Sequence, residues 1–482
     1  MKKGKNMLKL AIAAMAVIVG LAFNGSEVKA ATATKIDANV SFSNGSSDQN
    51  VLDDSYDTNV TLNAGESAKV TLNAPAKGVY IIWGKPVNEW TLEVAGKQEG
   101  KGKNGFLHEY IEFDQLMTEF TIIADKGNTI SDIYCYGEGD LPEDVQIWEP
   151  MCEKADILLL STHADDEILF FGGIIPYYAG EKNYDVQVVY FSEYWTGANI
   201  REHEKLDGLW HAGVRHYPYT GDFYDAYADD LDKAKEMFGE DNAISFVVEM
   251  LRKFKPQVAV AQDENGEYGH GTHKLTAYAM EKAVEVSMDA DSYPESATKY
   301  GVWDVPKTYL HLYSKNQITL DCRKPLERFG GKTTLEVASE SYKKHVSQQW
   351  CWFYVDDEYE YSCAKYGLYR TTVGVDTTND IMEHIVDYKT QAEEERRKAE
   401  EESIKESQSI AEAQSIEEAS RKEQENNDLA EKQRNDKARV ITIVIIVILI
   451  VAVIVIITYF VLLIRTVKKS QRRKKKKVNK NK

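Results

Sequence analysis

Between residues 31 and 150 the apolar positions come in short alternating or β-branched runs. Ala68–Leu72, Gly78–Trp83, Trp90–Val94, Glu109–Phe113, Glu119–Ala124 and Ile130–Tyr136 are such runs, separated by turns rich in Asn, Gly, Lys and Asp. Side chains alternate across a strand, so this period predicts half-buried strands. Their even spacing predicts an all-β sandwich or jelly roll. The stretch has one histidine, His108, and no cluster of metal-ligating residues, so it reads as a binding or spacer module. Leu141-Pro142 and Glu149-Pro150 close it.

From residue 155 the period changes. Ala155–Leu160, Asp185–Phe191, Gln257–Ala261 and Thr308–Tyr313 are apolar runs of strand length. Between them lie segments of helical period, Arg201–Ala212, Ala243–Phe254 and Lys274–Val286. Buried strands alternating with helices predict an α/β domain with a mostly parallel, Rossmann-like sheet over residues 151–387.

Residues 388–439 lose the apolar signal. They carry 15 acids and 11 bases, and a six-residue repeat headed Ser403-Ile404, Ser409-Ile410 and Ser415-Ile416. At about 100° per residue, each Ile is turned about 240° from the last, so no apolar stripe forms and a coiled coil is disfavoured. A solvated helix or a disordered stalk is expected. Val440–Ile464 is the opposite: 25 residues, mostly Ile and Val, with no charge, Pro or Gly. Such a run is accommodated as a transmembrane helix. At the other end, Lys2–Lys9, the apolar run Leu10–Phe23, and Val28 and Ala30 before a cleavage point read as a signal peptide over residues 1–30.

The net charge of −19 conceals this layout. Residues 1–30 are +4, and residues 465–482 carry eleven Lys or Arg and no acid, which leaves −34 for residues 31–464. An acidic body argues against a nucleic-acid binder, which needs a basic face for phosphates. The basic tail directly after the apolar run is expected in the cytoplasm, against anionic lipid. The layout expected is a single-pass cell-membrane protein of a Gram-positive-type bacterium, with residues 31–439 extracellular. The five cysteines are too few for a disulfide framework; buried free thiols and a Cys351–Cys363 pair both remain open.

Two loops hold the candidate chemistry. After the first α/β strand comes Ser161-Thr162-His163-Ala164-Asp165-Asp166-Glu167, then Phe171-Gly172-Gly173. Strand ends that lead into helices are where open α/β sheets place their sites. His, Asp, Asp and Glu within five residues is a costly cluster that a cation would relieve. Three apart in a turn, His163 and Asp166 can face one point, with Asp165 directed elsewhere in the same site. After Gln257–Ala261, His270 and His273 stand at His-x-x-His spacing, and Gly266, Gly269 and Gly271 permit close backbone approach. Two His and one Asp form an N/O ligand set with an open position, suited to a catalytic metal, most simply Zn2+. An acidic helix-capping turn or a lone His-x-x-His is common; their shared position after strands of one domain points to a site.

These motifs resemble the PIG-L/LmbE-like family of zinc-dependent N-acetylglucosaminyl deacetylases. That family carries His-Pro-Asp-Asp-Glu after its first strand, then an Arg-x-x-Glu-x-x-x-Ala helix, then a late His-x-x-His. Here the elements are His163–Glu167, Arg201-Glu-His-Glu204 with Ala212-Gly213-Val214 following, and His270–His273, and the likeness covers residues 153–385. It implies His163, Asp166 and His273 as zinc ligands and Asp165 as general base. It also implies His270 as the group that steadies the oxyanion and helps the amine leave, and Arg201 as a substrate contact. The implied activity is removal of N-acetyl groups from GlcNAc-containing glycans of the cell surface. Ala164 replaces the family's Pro, which is expected to loosen the turn that aims Asp165. Thr272 replaces an Asp common before the last His, which is expected to remove a partner that orients an imidazole. The β-module resembles the galactose-binding-like jelly rolls appended to secreted carbohydrate enzymes. Two rival readings use the same residues: a non-catalytic carbohydrate-binding surface protein on this fold, and a metal hydrolase of another acyl or ester bond. The aromatic stretch Trp350–Tyr361 is either core or a rim on which sugars stack.

Overall fold

The computed structural model describes residues 31–478, so the signal peptide read in residues 1–30 lies outside the described residues. The first strands are β1 (Lys35–Ile36), β2 (Ala38–Phe42), β3 (Val60–Leu62), β4 (Ser67–Trp83), β5 (Trp90–Val94), β6 (Lys97–Lys101), β7 (His108–Ile123) and β8 (Asn128–Tyr136). They pair antiparallel. Runs that read separately in the sequence join here. Ala68–Leu72 and Gly78–Trp83 are two halves of β4, and β7 likewise runs through both Glu109–Phe113 and Glu119–Ile123. The β4–β7 register breaks between Thr71, Ala76 and Gly78, around Pro75, which lacks an N–H for the ladder. The bent strands serve two layers. The first half of β4 pairs with β2 and the second with β8, so Val70, Ile81, Trp83, Trp90, Phe120 and Ile133 share one core.

The second sheet has seven strands. Its members are β9 (Ile157–Ser161), β10 (Val186–Glu193), β11 (Tyr219–Tyr224), β12 (Val258–Ala261), β13 (Lys307–His311), β14 (Gln317–Thr319) and β15 (Lys365–Thr371), in the spatial order β11-β10-β9-β12-β13-β15-β14. The first five in that order are parallel, β15 runs antiparallel to β13, and β14, antiparallel to β15, points the same way as the first five. β9 and β12 are buried along their whole length, because helices cover both faces. The chain leaves β9 toward β10 and β11, then returns on the other side through β12. The crevice between β9 and β12 is thus a topological switch point, where open α/β sheets bind ligands at the carboxyl ends of the strands. The helices are α1 (Asp166–Leu169), α2 (Ile200–His211), α3 (Leu231–Phe238), α4 (Glu240–Phe254), α5 (Gly271–Val286), α6 (Pro294–Tyr300) and α7 (Thr334–Tyr342).

The sandwich meets the α/β domain on α2 through polar contacts, with Phe106 and Trp148 packed against Tyr217 beside them. Tyr56 Oη donates to Asp207 at 3.0 Å, and Gln146 Nε2 donates to the same carboxylate at 2.6 Å. His108 Nε2 and His203 Nδ1 lie 2.9 Å apart, with the Tyr56 ring stacked on His203 at 4.4 Å. All five cysteines are free, and Cys363 neighbours Cys322, not Cys351.

From Tyr388 a single helix, α8, runs to Val478. Ile404, Ile410 and Ile416 are all exposed, as their spacing requires. Val440 to Ile464 is exposed as well, an apolar surface that water does not tolerate on this scale. Among the described residues this is one helix long and apolar enough to cross a membrane.

Burial pushes His108 down to about 3 and, with the neighbouring His108 ring, holds His203 well below the usual imidazole range. Both rings are neutral in the folded chain, whereas in the unfolded chain they take up protons near about pH 6.5. The pair therefore contributes fully above about pH 6.5 and loses its contribution as pH falls toward about 3. His203→Phe keeps a ring on Tyr56 but removes one titrating group. It is expected to cost about 1–2 kcal/mol near neutrality. It should also flatten the decline of melting temperature below about pH 6.5 in calorimetric scans; a slope equal to the native one would exclude the pair as a source of acid sensitivity.

Candidate active site

The loops after β9 and β12 converge at the switch point. Gly271 lets the 228–230 segment pack against the second loop, because a Cβ there would stand 2.2 Å from the Asp230 carbonyl oxygen. Gly266 supplies a φ of 67° and Gly269 one of 83°. The result is a pocket of about 350 Å³ lined by His163, Asp165, Asp166, Arg201 and His270, with His273 fully buried behind them. All six residues singled out in the sequence are brought together.

Three of them form a tight triangle. His163 Nδ1 is 3.0 Å from Asp166 Oδ2 and 3.0 Å from His273 Nε2, and His273 Nε2 is 3.1 Å from Asp166 Oδ2. The His163 N–H also donates to Asp166 Oδ2 at 2.8 Å, which fixes the turn. Glu267 Oε2 faces His273 Nδ1 at 2.7 Å and takes its proton as a hydrogen bond. Against burial, the Asp166 and Glu267 carboxylates push His273 up to about 10, so positive charge is held at this electron-rich point. Such a cluster needs a proton or a cation, and two imidazole nitrogens with one carboxylate oxygen fit a divalent metal. His270 is a looser fourth: the three imidazoles have donor atoms within 4.8 Å of one another. Its Nδ1 accepts from Thr272 N–H at 3.1 Å, so its proton sits on Nε2, free to donate.

Asp165 is held apart. Arg201 Nη2 donates to its Oδ1 at 3.0 Å and to the Ala164 carbonyl at 2.5 Å, while Nη1 donates to Asp225 Oδ2 at 3.3 Å. The backbone of Asp165 has a φ of 133°, which L-residues rarely adopt, and its N–H donates to Glu167 Oε2 at 2.7 Å. Environment separates the two neighbouring carboxyls. Burial raises Asp165 to about 7, against the lowering pull of Arg201. Burial acts on Asp166 too, but His273 and His163 outweigh it and hold that carboxyl well below the usual range. Two carboxylates driven apart in this way can divide base and ligand roles. Burial, with His163 and His273 alongside, pushes His270 down to about 2, so its imidazole is neutral.

The two departures from the family pattern are compensated. Ala164 N–H donates to Tyr194 Oη at 3.0 Å, a bond that Pro could not make, so the turn is clamped and not loosened. The imidazole partner expected to be lost with Thr272 is supplied by Glu267, while Thr272 N–H itself orients His270. Sequence reasoning passed over several of these groups. Glu167 and Glu267 lie inside the quoted motifs and are fully buried, a state that acids adopt only when paired. Glu267, against burial, is held down to about 2 by its bonds with His273 and His311. His345, 2.8 Å from Glu167, and Tyr194 carry no local sequence signal.

Fold and site together define an open α/β domain with an imidazole–carboxylate cluster at its switch point. Residues 158–284 match the PIG-L family, described as GlcNAc-PI de-N-acetylase, so the chain carries a PIG-L family domain. The 1D-myo-inositol 2-acetamido-2-deoxy-alpha-D-glucopyranoside deacetylase 1 of Catenulispora acidiphila is 27% identical over 184 residues, 32% of this chain and 54% of that protein. The corresponding deacetylase of Rhodococcus erythropolis is 28% identical over 179 residues, 32% of this chain and 59% of that protein. The chain spans a little over half the length of these curated relatives. A solved N,N'-diacetylchitobiose deacetylase from Pyrococcus horikoshii, complexed with its inhibitor, aligns over 41% of this chain and 74% of that chain, at 17% identity and a TM-score of 0.31.

Glu167 is the residue on which the Asp165 turn leans. Glu167→Ala frees the Asp165 N–H and strands His345 in the interior, and is expected to cost about 3 kcal/mol in urea unfolding, as broken buried ion pairs do. Glu167→Gln keeps one acceptor and should cost less. An unchanged midpoint in the alanine variant would remove Glu167 from this role.

Proposed function

We propose that this chain is a metal-dependent deacetylase that hydrolyses N-acetyl groups on GlcNAc-containing glycans. The observation that carries the reading is the His163–Asp166–His273 triangle directly beside Asp165, a carboxyl raised to about 7. His163, Asp166 and His273 would hold the ion. A divalent metal there, zinc by the character of the donors, would supply Lewis acidity to the amide carbonyl and acidity to a water molecule.

The chain's own residues do the rest. Asp165 accepts a proton from the attacking water as its oxygen adds to the amide carbon, and a base poised near neutrality suits that step. Arg201 aims the Asp165 carboxylate and keeps it ionisable. His270 Nε2–H donates to the oxyanion that forms on the former carbonyl oxygen. As the carbon–nitrogen bond breaks, the nitrogen takes the proton that Asp165 accepted from water, and acetate and a free amine leave. The relatives named for a 2-acetamido-2-deoxy-glucopyranoside support the amide at a glucosamine nitrogen as the bond cut. Trp350, 82% exposed, lines the pocket, and Trp352, 62% exposed, packs on Phe353 of the same lining, where rings can stack on a sugar; this favours the rim reading of that stretch.

The layout we propose is residues 31–150 as a binding module, 151–387 as the catalytic domain, 388–439 as a stalk, 440–464 as a single membrane span and 465–482 as a cytoplasmic tail. The basic run after the apolar segment supports an extracellular catalytic domain, and that address favours a polymeric or wall-linked glycan.

Chelation should abolish acetate release from N-acetylated chitooligosaccharides, and zinc should restore it. Asp165→Asn should lower turnover by about 100-fold or more while bound metal, measured by elemental analysis, stays near the native level. Equal turnover would sink the mechanism. Because Asp165 must be ionised, kcat/KM should rise with pH through about 7, and Arg201→Gln should move that limb upward by removing the charge that lowers Asp165. Protease added to intact cells should release the catalytic domain; protection of that domain would overturn the extracellular placement.

A further inference from the structure

A second cavity, of about 790 Å³, lies where the sandwich meets α2, and none of its lining residues belongs to the catalytic pocket. One wall is the outer face of the sandwich. Side chains alternate along a strand, so Val79, Ile81 and Cys135 fill the core while Tyr80, Tyr134 and Tyr136 face the other way. Tyr80 and Tyr134 are directly opposite in register. Trp210 of α2 adds a fourth ring from the facing wall. Tyr80 and Tyr136 are nearly buried and back this wall, while the half-buried Tyr134, with Lys35 Nζ 4.4 Å from its ring centre, and Trp210 present partly open ring surface among polar groups, which suits the C–H faces and hydroxyls of pyranose rings.

The charges narrow the class. Lys35 sits 3.0 Å from Asp54 and neutralises it. Burial raises Asp207 to about 7, so Glu143 and Asp144 supply the excess of negative charge over Lys344, and the cavity disfavours anionic sugars and phosphates and accepts neutral or amine-bearing ones. Asp207 is already oriented by Tyr56 and Gln146, as in a built site.

Two segments connect this cavity to the catalytic pocket. Arg201, near the start of α2, lines one and Trp210, near its end, lines the other; nine residues at about 1.5 Å each separate them by about 14 Å. Lys344 and Gln348 bridge the two cavities in the same way. A ligand that engages both is therefore a chain, not a single sugar.

We propose that this cavity is a second glycan-binding site, which holds a hexosamine-containing segment of the polymer several units along the chain from the one that enters the catalytic pocket. The choice of hexosamine rests on the deacetylase reading, whereas the site itself rests on the rings and charges of the cavity. The test uses full-length protein in lipid nanodiscs, which carry no sugar headgroups, with Asp165→Asn in every binding arm to prevent turnover. N-acetylated and deacetylated chitooligosaccharides are titrated calorimetrically, with oligolysine as a third probe. Adding Tyr134→Ala should weaken sugar binding about tenfold, as loss of one ring stack does. Asp144→Arg, at an exposed position, should weaken the deacetylated chain more than the N-acetylated one. In the otherwise native protein, Tyr134→Ala should leave acetate release from a small GlcNAc glycoside unchanged, which separates lost binding from lost folding. Sugar binding unaffected by both variants overturns the proposal even if deacetylation is intact. So does binding of oligolysine with neither sugar. Variant-sensitive sugar binding in a protein that releases no acetate would support the cavity and overturn the activity instead.

Discussion

Burying three consecutive carboxylates is the constraint around which the α/β domain is arranged. Asp165, Asp166 and Glu167 are each 8% exposed or less. An uncompensated buried carboxylate costs several kcal/mol, so each has its own source of positive charge or hydrogen. Asp165 has Arg201, Asp166 has His163 and His273, and Glu167 has His345. Those partners come from α2, α5 and the segment after α7. The helices must therefore pack where they do for the first loop to be tolerated at all. The division also shifts the two aspartates' proton affinities in opposite directions, as the proposed roles of base and ligand require.

The parts of this arrangement that the sequence exposes are the local ones. His163 to Glu167 and His270 to His273 are short patterns after apolar strands, and strand–helix alternation places both at one sheet edge. The parts it hides are long-range. Tyr194 and His345 are ordinary residues in sequence; they matter because Tyr194 Oη meets Ala164 N–H and His345 meets Glu167 across the fold. The fold shows the same division. Central strands such as Val258–Ala261 are uniform apolar runs and stand out, whereas β15, Lys365–Thr371, mixes Lys, Tyr, Gly and Arg and escapes a periodicity search. In the sandwich the runs were legible, but the bend that fuses pairs of them into β4 and β7 depends on cross-strand register, which no single strand encodes.

Helix α2 carries more than one burden. Arg201, at its start, aims Asp165; Glu204 accepts from Ser347 N–H and Oγ, both at 2.6 Å; His203 and Asp207 bind the sandwich. Successive turns of one rigid rod thus face the 164–167 turn, the 344–351 segment and the β-module. A displacement of the module would be felt at Arg201 through a helix only 12 residues long. The hydrogen bonds within that contact fit the coupling, since they fix orientation where the aromatic contacts beside them fix only proximity.

The exchange of Pro for Ala at position 164 then has a physical reading. A φ of 133° at Asp165 costs about 1–3 kcal/mol and persists only where the surroundings over-determine it. A proline at 164 would restrain the turn through its ring, by fixing its own φ and restricting the residue before it. Here the restraint is hydrogen bonding. Ala164 N–H is held by Tyr194, Ala164 O by Arg201 and Asp165 N–H by Glu167. Proline would delete the first of these bonds. Tyr194 is itself bound to the same machinery, since its ring lies 4.3 Å from the Arg201 guanidinium and its N–H donates to Glu202. In this chain the hydrogen-bonded clamp therefore restrains the turn without a proline ring.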